Sequence, residues 1–284
     1  MDTNKNLYTI LYATGMVVIV AVVLAFAASL LKERQQRNVE IERKQLILRS
    51  VHLGAEASSV KDKDSYIEQE YARYITDSSI SESGKDFVIY ISSGGGKQQS
   101  GEPASGRYYI IPLRGVGLWG PVWGYISLAD DFNSVYGATF DHKSETPGLG
   151  AEISTNAFAK QFENKKIFDA QGDYVSIQVV KGGAKEGNDH QVDAISGGTI
   201  TSKAVEEMLY KNIKEYMNFF AANLRASKER ERMQIEREAA EAVAAEAAAK
   251  AAADSVANAE KQQRYRAYLQ RQKEQEQRDS SQNN

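Results

Sequence analysis

The chain has 284 residues, 42% of them hydrophobic and 26% charged, with a formal net charge of −3. That balance excludes a nucleic-acid-binding surface, and the lack of cysteine excludes disulfides and cysteine-ligated iron–sulfur clusters. The three histidines, His52, His142 and His190, are too dispersed to suggest a histidine-based metal site, so no metal is expected.

No charged residue occurs from Asn6 to Leu31, and Tyr8 to Leu31 gives 24 mostly apolar positions. A membrane-spanning helix needs about 20. Residues 1–31 therefore predict a single transmembrane anchor. A secretory signal is the competing reading, but its apolar core runs to only roughly 7–15 residues. Residues 32–50 are charged and helix-prone, as in a stalk. Lys32, Arg34, Arg37, Arg43 and Lys44 follow the apolar run whereas only Lys5 precedes it, a bias that by itself places the following domain in the cytoplasm.

Residues 51–225 are long enough for one domain with its own core. The patterning predicts a helix over 60–75 and strands over 86–92, 107–113, 124–128, 135–140 and 174–180, with a short helix over 155–162. Residues 93–105, rich in Gly, Ser and Gln, read as a loop, Lys181-Gly182-Gly183 as a turn, and Asp130 and Asp131 as solvated carboxylates. Clustered strands with short connections imply an α+β fold with a mainly antiparallel sheet and flanking helices.

Three segments carry chemistry. Residues 115–126 set both tryptophans, Trp119 and Trp123, on a glycine-rich backbone. Leu118 and Trp119 are candidates to flank a flat ligand, whereas Trp123 reads as core. In residues 142–150, Pro147 and two glycines would present Glu145, Thr146, Gly148 and Leu149 on a rigid turn. In residues 193–202, Gly197 and Gly198 permit a tight turn. Ala204, Val205, Met208, Leu209, Ile213, Met217 and Phe220 then recur at helical spacing, so a helix is expected from Lys203 with Thr201 or Ser202 as its cap. An anion such as phosphate fits over Thr199 to Ser202. The plainer reading is an ordinary turn and cap.

Residues 226–284 form a separate tail. Thirteen alanines between 239 and 259 favour an extended single helix, without the apolar heptads of a coiled coil. From Lys261 onward the tail is expected to fray into disorder.

Asp193-Ala194-Ile195-Ser196-Gly197-Gly198-Thr199 resembles the flavinylation motif of covalent FMN-binding domains, with Gly198 where that family usually has alanine. His142-Lys143-Ser144-Glu145-Thr146-Pro147-Gly148-Leu149-Gly150 resembles the family's His-x-Glu-Thr-Pro-Gly-Leu-Gly stretch. Gly117-Leu118-Trp119 is similar to a third stretch, and Asn4 to Ile10 to the family's N-terminus. The resemblance covers roughly residues 1–225. It implies that FMN is joined to Thr199 by a phosphoester, with Thr201 as the alternative, and that Asp193, Ser196, Gly197, Gly198 and Ser202 shape the attachment turn. It also implies that Glu145, Thr146, Gly148 and Leu149 lie against the cofactor, with Leu118 and Trp119 beside its ring.

Attachment would need a separate flavin transferase that cleaves FAD and releases AMP. The implied function is electron relay in a sodium-pumping NADH:quinone oxidoreductase of the bacterial inner membrane. Other membrane subunits would be its partners and the flavin domain would face the periplasm, against the charge bias. NADH would be oxidised elsewhere, since no Gly-x-Gly-x-x-Gly follows a strand. The alternatives are the FMN subunit of a ferredoxin/NAD electron-transport complex, or a membrane-anchored scaffold without a redox group.

Overall fold

One helix, α1 (Asn6–Ser50), carries both the apolar run and the charged stretch after it in a computed structural model that describes residues 6–82, 85–96 and 106–282. An 18-residue window in it has a mean hydropathy of 2.6 with no side chain buried in the protein, so α1 is long and apolar enough to cross a membrane. Its last turns differ. Ile41, Leu46, Ile47, Leu48 and Ser50 are buried, which draws the end of the expected stalk into the domain core.

The Ser50 carbonyl at the end of α1 lacks an intrahelical donor, and the sheet supplies one there and a further donor to the Leu46 carbonyl. Ser127 Oγ donates to the Ser50 carbonyl (2.6 Å) and Thr139 Oγ1 to that of Leu46 (3.1 Å). The helix stops because His52 takes a left-handed conformation, φ 58°. The His52 and Leu53 amides then turn back to the carbonyls of Arg49 and Leu48, the hydrogen-bond pattern of a Schellman cap. A non-glycine residue is tolerated there because the His52 ring packs edge-on against Tyr136, 4.9 Å between centroids.

A 3₁₀ turn at Ala55–Ser58 leads into α2 (Lys63–Tyr74), which is capped by the Asp62 carboxylate accepting from the Ser65 amide. Then follow β1 (Ile75–Glu82), β2 (Lys85–Ser92), β3 (Tyr108–Val116), β4 (Pro121–Leu128) and β5 (Val135–His142), an antiparallel sheet in sequential order. Strand β1 was not expected, because its Ile-Thr-Asp-Ser-Ser-Ile-Ser-Glu sequence lacks apolar alternation. Much of the expected loop at 93–105 lies outside the described residues.

One face of the sheet packs Tyr90, Tyr108, Ile110 and Tyr125 against Ile41, Leu46, Ile47 and Leu48 of α1 and Ile67 of α2. Alternate positions point to the opposite face. There Tyr109 meets Phe132 and Phe219, and Phe140 meets Phe158 and Phe162 around the short helix α3 (Asn156–Lys160). Helix α4 (Thr199–Lys214) lies along β3, where Asn212 exchanges hydrogen bonds with both backbone groups of Arg114.

Burial pushes the phenols of Tyr125 and Tyr216 up to about 12 from an ordinary value near 10.0. A raised acid pKa stabilises the fold fully below the unfolded value and is lost as pH rises through the folded one. Urea midpoints should therefore fall between about pH 10 and pH 12, and Tyr125→Phe or Tyr216→Phe should flatten that fall. Unchanged slopes in both variants would refute this.

Two short parallel strands, β6 (Gln178–Val180) and β7 (Gln191–Asp193), lie outside the main sheet. The strand expected over 174–180 is thus confined to its end. Tyr174 instead forms an isolated bridge with Phe168 and donates its hydroxyl to the Tyr210 carbonyl (3.0 Å). Helix α4 starts at Thr199, a turn earlier than expected, because the Thr201 and Ser202 hydroxyls are engaged elsewhere and Gly198 is the cap.

The chain divides into two compact units, Met1–Phe220 and Ala221–Asn284. Helix α5 (Met217–Gln282) begins in the first, where Phe220 is buried on Phe132. The second unit is helical through Gln282, with ion pairs such as Arg237 to Glu241 (2.9 Å) along it.

Candidate functional site

The turn between β3 and β4 is closed by the Gly117 amide donating to the Gly120 carbonyl (2.8 Å). It leaves the side chains of Leu118 and Trp119 48% and 64% exposed. The Trp119 backbone, by contrast, is tied inward. Its amide donates to Glu145 Oε1 (2.8 Å) and its carbonyl accepts from Ser144 Oγ (2.7 Å).

After β5 the chain turns again. The Glu145 amide donates to His142 Nδ1 (3.2 Å), and the amides of Leu149 and Ala151 both converge on the Thr146 carbonyl. Gly148 takes φ 74°, and its amide donates to Glu152 Oε1 (3.1 Å). These bonds bury the Glu145 carboxylate to 4% exposure while leaving Thr146, Gly148 and Leu149 at the surface. A buried carboxylate must be hydrogen-bonded. Beside Trp119, its second donor is Thr201, whose Oγ1 lies 2.6 Å from Glu145 Oε2.

One side chain therefore joins three segments far apart in sequence. Glycines make the approach possible: a Cβ at Gly150 would lie 2.4 Å from Thr201 Oγ1 and 2.5 Å from Glu145 Oε2, and one at Gly117 would lie 2.5 Å from Glu145 Oε1.

The turn at residues 195–198 sits on this hub. Gly197, with φ 73°, passes under Leu149, whose Cδ2 would be 2.5 Å from a Cβ there. Gly198 packs against Ile195 and the Gly150 backbone. The Ile195 amide donates to Ser202 Oγ (3.0 Å), which braces the turn from inside the helix. Helix α4 thus begins with a cap that has no side chain. No side chain caps its first amides, and the helix dipole favours negative charge there. Thr199, the first helical residue, is exposed together with Ser196, Gly197 and Ile200, whereas Thr201 and Ser202 are each 1% exposed.

Asp193 faces elsewhere: its carboxylate accepts from the Ala184 amide (2.6 Å) and holds the turn at 181–184. Sequence reasoning did not find His142, Ser144, Gly117 or Gly150 as parts of the site. The glycines carry a signal only once the carboxylate beside them is known. A cavity of about 840 Å³ between α1, α3 and β5 shares none of these residues.

The FMN-binding domain family matches residues 117–214, from the Trp119 turn to the end of α4. The crystal structure of NqrC, a subunit of Na(+)-translocating NADH-quinone reductase, from Parabacteroides distasonis is 38% identical, with a TM-score of 0.54, covering 67% of this chain and 96% of that one. The chain belongs to the NqrC family. The Pseudomonas aeruginosa NqrC is 39% identical over 120 residues, 41% of this chain and 46% of that protein. That of Vibrio campbellii is 42% identical over 97 residues, 34% and 37% of the two chains. The chain thus spans less than half the length of the curated relatives it matches. NqrC from Shewanella oneidensis, 20% identical with a TM-score of 0.50, covers 67% of this chain and 98% of its own and shares the fold.

The residues of this NqrC-family chain fit an FMN phosphate. Thr199 is exposed at a helix start that no side chain caps, next to the exposed Ile200, and the exposed Leu149 packs over Gly197 two residues earlier.

Proposed function

We propose that this chain is the membrane-anchored FMN subunit of a Na(+)-translocating NADH:quinone reductase and relays electrons through FMN attached to Thr199. The observation that carries the reading is the contrast between two threonines of one motif: Thr199 is exposed on the uncapped first turn of α4, and Thr201 is buried with its hydroxyl given to Glu145. FMN supplies one- and two-electron redox chemistry when bound. The protein's share is to hold and orient it. The open amides of α4 receive the phosphate, Leu118, Trp119 and Leu149 offer apolar surface to the ring, and the Glu145 hub fixes these turns relative to one another. A covalent tether keeps the carrier from diffusing away.

On this reading α1 anchors the chain in the inner membrane and the flavin domain lies on the periplasmic side. A flavin transferase loads it, and the other subunits of the complex donate and accept its electrons. The relatives from Pseudomonas, Vibrio and Parabacteroides are all NqrC, which favours this complex over the ferredoxin/NAD one.

Tandem mass spectrometry of the tryptic peptide spanning residues 186–203, from protein isolated from its native membrane, tests the attachment. A flavin phosphate on Thr199 is expected. An unmodified peptide, with no fluorescent band on a denaturing gel, would refute covalent relay and favour the scaffold alternative.

A further inference from the structure

The Glu145–Thr201 pair poses a chemical question that the fold answers. A hydroxyl donating to a carboxylate is also how a nucleophile is activated, so the same contact could mark Thr201 as the attachment site. Three observations oppose that role. Thr201 is 1% exposed, its oxygen is 2.6 Å from Glu145 Oε2 in a site 4% exposed, and the other carboxylate oxygen already serves the Trp119 amide. The Gly150 backbone closes the same space, since even a methyl group there would collide with both partners. No pyrophosphate donor can reach Thr201 in this arrangement.

We propose that Glu145 is a positioning residue for flavin attachment. By holding Thr201 inside and tying the Trp119 turn to α4, it leaves Thr199 as the only threonine of the motif that a transferase can reach, and so sets the regiochemistry. This rests on the reading that FMN is attached from FAD. In that step a bond forms between Thr199 Oγ1 and the FMN-side phosphorus of FAD. The bond from that phosphorus to the bridging oxygen breaks, AMP leaves with the oxygen, and the hydroxyl proton passes to a base of the transferase.

The test uses four full-length chains produced with a flavin transferase: the parent, Thr199→Ala, Glu145→Gln, and the double variant. Each is read by mass spectrometry of residues 186–203 and by a thermal melt. The parent should carry flavin on Thr199 only and Thr199→Ala none. Glutamine offers a single acceptor oxygen where two donors now bind, so Glu145→Gln should divide its flavin between the two threonines. The double variant should gain flavin on Thr201, at roughly a tenth or more of the parent's occupancy.

That gain is a readout that mere loss of packing would not produce. Flavin on Thr201 in Thr199→Ala with Glu145 intact would overturn the proposal, as would a double variant that melts cooperatively and stays bare. Should the glutamine chain not melt cooperatively, Glu145→Asp, which keeps the charge but shortens the reach, is read by the same criteria. A parent bare on both threonines would instead refute the attachment reading itself.

Discussion

Thr199→Ala, produced together with a flavin transferase, is expected to lose all covalent flavin while folding as the parent does. The chemical half of the expectation follows from the start of α4. Attachment requires a hydroxyl that is exposed and beside amides able to hold a phosphate, and Thr199 meets both conditions at the first helical position. Ser196 is exposed but precedes the cap, and Ser202 and Thr201 are buried and hydrogen-bonded. The structural half follows from exposure. A surface substitution that breaks no cap or buried bond changes stability by about 0.5 kcal/mol or less, and the cap of α4 is Gly198. Thr199→Ser, which keeps the hydroxyl, should retain flavin. In-gel fluorescence of the denatured chain, beside a thermal melt of the native one, separates the two halves. Fluorescence persisting in the alanine variant would move the attachment elsewhere.

How much of this site the sequence reveals depends on the range of the interactions. The glycines and hydroxyls of residues 193–202 mark a turn before a helix because turn chemistry is local, and that turn is present. The helix start is displaced by a turn because the usual cap residues, Thr201 and Ser202, are used by partners 56 and 7 residues away. Nothing local announces such partners. Glu145 could be singled out from its motif, but its place at the meeting point of three segments emerges only when β3, β4 and β5 bring them together.

The sheet shows the same division. Apolar strands such as β3 are legible by composition, whereas β1 is a strand only because β2 offers it eight residues of register and not because its serines favour extension. Asp193, part of the motif in sequence, is spent on the turn at 181–184, which no spacing rule could foresee.

A chain beginning at Val51 is expected not to fold, whereas one beginning at Arg37 should fold as a soluble domain. From sequence the charged stretch 32–50 looks like a solvated stalk, and its first turns are exposed. Its last turns are not. Ile41, Leu46, Ile47 and Leu48 are each 6% exposed or less and fill the face of the sheet carrying Tyr90, Tyr108, Ile110 and Tyr125. At about 1.5–3 kcal/mol for each large apolar side chain buried, these four contribute on the order of 6–12 kcal/mol. That matches the whole stability of a typical domain, about 5–15 kcal/mol. Their removal would also strip the buried Thr139 hydroxyl of the Leu46 carbonyl it donates to and leave that of Ser127 only the Gly137 carbonyl (3.1 Å).

Starting at Arg37 keeps all these groups, and of the described residues it discards all but the half-buried Tyr8 are exposed. Near-UV circular dichroism and thermal melts of the two truncated chains decide the matter. A cooperative melt of the Val51 chain within about 5 °C of the longer one would show that the end of α1 only leans on the sheet. Loss of the Val51 chain's melt would make the membrane anchor and the flavin domain one continuous piece, so that α1 sets the domain's height above the bilayer at about 1.5 Å per residue beyond Leu31.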